Sequence, residues 1–351
     1  MTDGKQANGK RRWIISNLIY GQMYPQFWLE NQLKSLNDQT NLPALRKDWD
    51  VEYVVFTDEG TLQQLTRHPN FMQLGQNCEI NIVKLHWPSD ADQFASRYGL
   101  LIQMFHETLK VAQAKGAYAM SSWVADLVFA KDSLPKMAAH LLRGHDAVFN
   151  VPIRSAADSV HPLLGKLTGA PSELELFEMA YGNLHHLWTH STWDNPYFSR
   201  IPYSMLWNSG SGLCAHNFGI TPIVFRPLDG LKEVKGVIDA DVPAFFSNPY
   251  WCTDWTDAAV AGVEPLSNGH YPPFRQVQRP GEPDYDQMEH VAQFALRGTH
   301  PTQANNLDKP LFYPSRKHFN AENIAAGAAS TARRIQELIR TLRTETAEAG
   351  K

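Results

Sequence analysis

The sequence predicts an α/β protein with a Rossmann-like, mostly parallel sheet flanked by helices, then an irregular region and a terminal helix. Three observations carry this. Apolar, β-branched runs alternate with stripes at helical spacing from residue 11 to residue 155. The connections between them are short, and short right-handed crossovers favour parallel strands. Beyond residue 155 the alternation weakens, and Pro, Trp and His accumulate between residues 181 and 280.

The elements follow in order. "RRWIISNLIY" reads as a short buried strand, and "YPQFWLENQLKSLN" as a helix with Phe27, Leu29, Leu33 and Leu36 near helical spacing. "NLPAL" breaks that helix. "DVEYVVFTD" is a second strand, "GTLQQLTRHP" a short helix and "CEINIVKL" a third strand with alternating polarity. Ser89 and Asp92 have capping-box-like spacing before a stripe of Phe94, Tyr98, Leu101, Phe105, Leu109 and Ala112, and Gly116 is placed to stop that helix. "AYAMSSWVADLVFA" is a fourth strand region, "SLPKMAAHLLRG" a helix and "HDAVFNVPI" a strand. Later, "FGITPIVFRP" stands out as a strand, followed by "VIDADVP". Asn320 can cap a last helix whose inner face holds Ile324, Ala328, Ile335, Leu338 and Leu342.

Bulk properties narrow the function. The 351 residues suffice for one large domain with a sizeable core. A formal net charge of −4 argues against a general polyanion binder, so no nucleic acid partner is expected. Cys78, Cys214 and Cys252 lie far apart and form no Cys-x-x-Cys, which favours a reducing compartment. The polar opening "MTDGKQANGKRRW" lacks a signal-peptide core, and no apolar run nears the roughly 20 residues of a bilayer span. The expectation is a cytoplasmic protein without a transmembrane segment.

One residue breaks the pattern. Asp126 interrupts an apolar run that resumes as Leu127-Val128-Phe129. Ligands of open parallel sheets sit beyond the carboxyl ends of the strands. A desolvated lone carboxylate there needs a partner, a hydrogen bond or a metal, and the alternative is a turn cap or an ion pair with Arg. A hard divalent cation, held by one or two carboxylates and substrate phosphates, would account for it. Asp58, after the second strand, can point into the same crevice or cap a helix with Thr57. In the second half His216 precedes a strand, and Asp239 and Asp241 follow it. Two apart, these aspartates share a face if extended, and they can bind a metal or a sugar, supply a general base, or sit in a polar loop.

The order of elements resembles the GT-A fold of nucleotide-sugar-dependent glycosyltransferases. "SSWVADLVFAKDSLPKMAAHLL" is similar to the region around that family's Asp-x-Asp motif, and "SLNDQTNLPALRKDWDVEYVVFTDEGTLQQL" to the second strand-helix unit of bacterial GT-A-like proteins. The resemblance covers residues 12 to 155 well and the rest loosely. It implies a nucleotide-sugar-binding half at 11–155, an acceptor and catalytic half of the same domain at 156–320, and a C-terminal helix at 321–346. The implied activity is hexosyltransferase-like: a sugar moves from a nucleotide-diphosphate donor to a carbohydrate, lipid or protein acceptor. Asp126 matches the motif's second Asp, a residue that contacts the metal bridging the diphosphate. Val124 stands where the first would be. The expected catalytic residues are Asp126, Asp239 and Asp241. Thr57, Asp58 and Arg97 are expected at the nucleotide and diphosphate, and Asp126, Asp241 and His216 at Mg²⁺ or Mn²⁺.

Other motifs fall short. His186 and His190 have zinc-ligand spacing, but Leu187 replaces the zincin Glu and no third ligand is evident. "NSGSGL" has neither the dinucleotide nor the P-loop glycine spacing. Two other readings stand: a catalytically silent GT-A-like carbohydrate-binding protein, which Val124 favours, and a metal-dependent hydrolase using the histidines at 185 to 190.

Overall fold

The structure, a computed structural model, describes residues 9–85, 93–193, 195, 197–199, 202–236, 238–266, 275–276, 285–297 and 301–349. Its strands are, in chain order, β1 (Arg11–Ile19), β2 (Trp49–Thr57), β3 (Glu79–Lys84), β4 (Ala119–Trp123), β5 (Leu127–Phe129), β6 (Ala147–Asn150) and β7 (Ile153–Ala156). They continue with β8 (Tyr197–Phe198), β9 (Ser204–Asn208), β10 (Leu213–Asn217), β11 (Thr221–Phe225), β12 (Tyr250–Trp251), β13 (Val260–Glu264), β14 (Arg275–Gln276) and β15 (Pro310–Tyr313).

A seven-stranded sheet forms the centre, in the order β12-β6-β11-β4-β1-β2-β3. The pairings from β3 through β4 are parallel, because helices return the chain to the same edge each time. Helices cover these strands, so their sequences run apolar instead of alternating. Trp13, Ile14, Ile15, Tyr53, Val54, Val55 and Phe56 are completely buried. β3 is an edge strand with its middle residues only partly covered, which is why it alone alternates.

Several expectations are refined. The fourth strand region divides: β4 stays in the main sheet, and β5 pairs antiparallel with β13 in a separate sheet, β5-β13-β7. "HDAVFNVPI" divides likewise into β6 and β7 around Pro152, which has no N–H for a ladder. β11 runs antiparallel to both β4 and β6. Its register shifts between Pro222 and Val224, and the Ile223 carbonyl freed there accepts from Ser121 Oγ at 2.7 Å and Trp123 Nε1 at 2.8 Å. "NLPAL" contains one helical turn, Leu42–Leu45, with Pro43 tolerated in its first turn. A helix unmarked by the apolar pattern, Pro69–Asn77, starts at a proline and is capped by His68. The Ser89–Asp92 capping pattern lies outside the described residues.

The terminal helix, Glu322–Ala349, buries Ala328 and Ile335 as expected, with Ile324, Leu338 and Leu342 partly covered. It packs on the helix Tyr285–Arg297 and on the sheet β15-β10-β9. Among the described residues no helix is long and apolar enough to cross a membrane, and the three cysteines are unbonded.

The carboxyl end of β4 is pinned from below. Asn17 on β1 is fully buried; its amide donates to the Trp123 carbonyl at 2.9 Å, and its oxygen accepts from the Tyr53 hydroxyl. Asn17→Ala leaves both partners unpaired in a dry interior. It should lower stability by about 2–4 kcal/mol, seen as a lower urea midpoint at unchanged slope. A midpoint equal to wild type would show that the network is dispensable.

Candidate functional site

Past β4 the chain makes a short connection to β5, and this carries Asp126. Three carbonyls there are held by different elements. Asn17 binds Trp123 O, Gln32 Nε2 binds Val124 O at 3.0 Å, and the Val263 amide binds Asp126 O at 2.9 Å. Gln32 belongs to a five-residue π-helical segment, Trp28–Gln32, a rare local geometry often found at functional sites. The backbone under Asp126 is therefore fixed from β1, from the first helical region and from β13.

Around Asp126 the small sheet assembles charge. Arg154 on β7 lies opposite Gly262 of β13, and Arg154 Nη1 reaches Glu264 Oε1 at 2.9 Å. The Arg154 side chain is 42% exposed, while Glu264 is only 13% exposed. Asp126 is itself partly exposed, yet protein crowds its carboxyl closely. Desolvation and the Glu264 carboxylate push Asp126 up to about 7, against the pull of Arg154. Asp239 is also raised by desolvation, opposed by Arg154 and by a hydrogen bond with Thr221 at the start of β11. Since Thr221 pairs with Asn150 at the carboxyl end of β6, Asp239 stands at the same edge of the sheet as Asp126.

The other candidates are placed differently. Asp239 and Asp241 are not extended but lie in a helical turn, Ile238–Asp241, so positions two apart diverge. Asp241 is buried, and its Oδ2 accepts from the Gly236 amide at 2.7 Å. Asp58 caps the helix Glu59–Leu65, taking Thr61 N at 2.9 Å and Thr61 Oγ1 at 2.7 Å. Against partial desolvation, those bonds hold its carboxyl below the usual range. Thr57 ends β2 with its hydroxyl buried and without a hydrogen-bond partner among the described residues. Arg97 falls in the helix Gln93–Ala114, but its side chain lies outside the described residues. His216 is buried in the other sheet, its Nδ1 2.6 Å from Leu307 O and its ring edge-on to Trp207.

Of the histidines at 185 to 190, His185 joins the charged group. Its amide donates to Arg154 O at 3.0 Å, and burial lowers its ring to about 4 despite the attraction of Glu264. It therefore stays neutral near pH 7. His190 Nδ1 instead meets His186 O at 2.6 Å, within its own turn. Arg154 and Glu264 are site residues that the sequence did not single out, and His185 was marked there only as part of a hydrolase reading. The signal for Arg154 and Glu264 was the one used for Asp126: a lone charge ending or entering an apolar run, in "FNVPIRSA" and "AAVAGVE".

Asp126, Asp241 and His216 do not form one coordination sphere. Among the described residues no group of three or more His, Cys, Asp or Glu side chains is placed to hold a metal ion. Val124, which stands where the resembled motif has its first Asp, presents an apolar side chain that is 41% exposed. Glu264, the carboxylate that acts on Asp126, is paired with the Arg154 guanidinium. A divalent cation held by the protein alone does not fit this donor set. A cavity of about 160 Å³ beside the terminal helix is lined by Met288, Arg334, Glu337, Leu338 and Thr341, none of them candidates.

The raised carboxyl of Asp126 sets a pH dependence. Its ordinary value is 3.8 and its folded value about 7, so its stabilising effect is full below 3.8 and is lost as pH rises through 7. Asp126→Asn should melt like wild type at about pH 4 and at a higher temperature than wild type at about pH 8. Parallel melting curves across that range would refute the desolvated carboxyl.

Fold and site together define a Rossmann-like α/β protein with a polar cluster at the carboxyl edge of its sheet. No family model matches the chain, and no curated protein matches it. Among solved structures, the mannosyltransferase PcManGT from Pyrobaculum calidifontis, in complex with GDP-Man and Mn²⁺, is similar over 97% of this chain and 81% of that chain. The identity is 14% and the TM-score 0.38, a likeness that does not extend to activity.

Proposed function

We propose that the protein is a GT-A-fold glycosyltransferase that moves a sugar from a nucleoside-diphosphate donor to a hydroxyl of a carbohydrate, lipid or protein acceptor. One observation carries the reading. Asp126 sits just past the carboxyl end of β4, on a backbone pinned by Asn17, Gln32 and Val263, with the Arg154 charge acting on both it and Asp239. Ligands of open α/β sheets bind at that edge.

In this reading the acceptor hydroxyl oxygen bonds to the anomeric carbon while the anomeric C–O bond to the diphosphate breaks. The diphosphate leaves with the bonding pair. Asp239 takes the hydroxyl proton. Asp126, which holds a proton near neutral pH, donates it to a diphosphate oxygen. Both carboxyls are raised above the ordinary range, as proton-transfer groups working near pH 7 need to be. Asp58, just past β2, would border the nucleoside while capping its helix, with Thr57 packed beneath, and Asp241 shapes the turn that presents Asp239.

A thermal-shift screen of nucleotide sugars, with and without Mn²⁺, tests the proposal. A ligand at 100 times its Kd stabilises the native state by about 2.7 kcal/mol, a readily measured shift. No shift with any donor would end this reading. Donor binding with no turnover on any acceptor would leave the silent carbohydrate-binding protein.

A further inference from the structure

We propose that the stack of His140 on Tyr250 is an acid-released clasp that holds the edge strand β12 on the central sheet. The inference does not depend on the glycosyltransferase reading. β12 is two residues long and ends the seven-stranded sheet, with β6 as its one neighbour there. So short a ladder is a low-stability unit unless side chains supplement it. Trp251 packs edge-on to Phe149 at 5.0 Å, and the Lys309 ammonium lies 3.4 Å from the Trp251 ring centre. Tyr250 is held by His140 of the helix Ser133–Leu142. Their rings lie 3.5 Å apart at 20°, and the Tyr250 hydroxyl donates to Asp257 Oδ2 at 2.8 Å.

The clasp suits a neutral ring. His140 is 8% exposed, and its Nδ1 is buried with no hydrogen-bond partner among the described residues. As a bare lone pair that nitrogen costs little. As the N–H of an imidazolium it becomes an unpaired donor on a buried charge. The neighbours add to that cost. Arg143 and His145 both oppose a charge on His140, and the His145 ring lies 5.3 Å from the same tyrosine. Asp257 reaches the clasp through the Tyr250 hydroxyl, and Asp146 is engaged with the Ser247 and Asn248 amides. The turn Leu42–Leu45 and β6, which also pack on this helix, bring no titratable side chain. Attraction between an imidazolium and the tyrosine face offsets only part of this. Burial first, then Arg143 and His145, hold His140 down at about 4, against 6.5 ordinarily. A ring released to water takes its proton at the ordinary value. The open form therefore binds more protons between those two values, and opening is favoured as pH falls.

The experiment is amide hydrogen exchange of the full chain at about pH 8 and about pH 5, each corrected for the intrinsic exchange rate. It is read at the Cys252 amide, which follows β12 and donates to Phe149 O at 3.0 Å. Wild-type protection there should fall about 30-fold between the two conditions, the ratio that a shift from 6.5 to about 4 gives. Protection at Ile15, in the middle of β1, should not change. His140→Phe keeps a ring on Tyr250 and removes the proton site, so its Cys252 protection should be the same in both conditions. Melting curves establish that His140→Phe is folded, and His140→Gln replaces it if it is not. Unchanged wild-type protection at Cys252 overturns the clasp. An equal fall at Ile15 shows acid unfolding of the whole molecule and also overturns it. A wild-type-like fall in the His140 variant places the titrating group elsewhere, Asp257 included, and overturns it as well.

Discussion

Asp126→Asn should reduce sugar transfer by at least about 10²–10³-fold while the protein stays folded and still binds its donor. The amide keeps the shape and the hydrogen-bonding capacity of the carboxyl but has no proton to give a leaving diphosphate. Folding should not suffer, because the backbone around Asp126 is held through carbonyls bound to Asn17, Gln32 and Val263, and none of those bonds uses the Asp126 side chain. The measurement is single-turnover transfer beside a donor-binding titration. A folded variant turning over at the wild-type rate would remove Asp126 from the chemistry.

The second large effect separates two aspartates that sequence spacing treats alike. Asp239→Asn should cost about 10²–10⁴-fold in turnover with donor affinity preserved, the signature of a lost general base. Asp241→Asn should act differently. Its carboxylate accepts the Gly236 amide at 2.7 Å from a buried position, so the variant should melt at a lower temperature and lose activity only as the turn loosens. Wild-type rates in both variants would make this turn purely structural. The pH-rate profile gives a check within the same experiment: the basic group seen in wild type should vanish in Asp239→Asn.

The sheet was legible because burial leaves a plain signature. β1 and β2 are covered on both faces, so "WIISNLI" and "VEYVVFT" are mostly apolar and lack the alternation of a half-exposed strand. The terminal helix was legible for the same reason, through the spacing of Ala328 and Ile335. Strand direction was not. Nothing local marks β11 as antiparallel, because its direction follows from where the chain re-enters the sheet. Asp126 showed itself as a lone carboxylate in an apolar run. Its neighbours Arg154 and Glu264 carry the same mark, but they lie 110 residues apart in sequence, and only the register of β7 on β13 brings them together. Asp239 and Asp241 were read on an extended template. A two-residue spacing puts side chains on one face of a strand and on diverging directions of a helical turn, so the shared face that an extended segment would give is absent.

The place of β11 has a consequence for how the protein can be divided and made. β11 is synthesised after β4 and β6 yet lies between them. Until residue 225 has emerged, those two strands present raw edges facing an empty slot, each able to pair with another chain. The stretch 11–155, which carries the most recognisable sequence, is therefore not a portable unit. Expressed alone it should precipitate or associate, while the full chain stays monodisperse under the same conditions. The closing strand also belongs to a late, non-local pairing of the slow-forming kind, so nascent chains should depend on holding chaperones until it docks. A recombinant shuffling the front of this protein onto another scaffold would have to bring its own replacement for Thr221–Phe225.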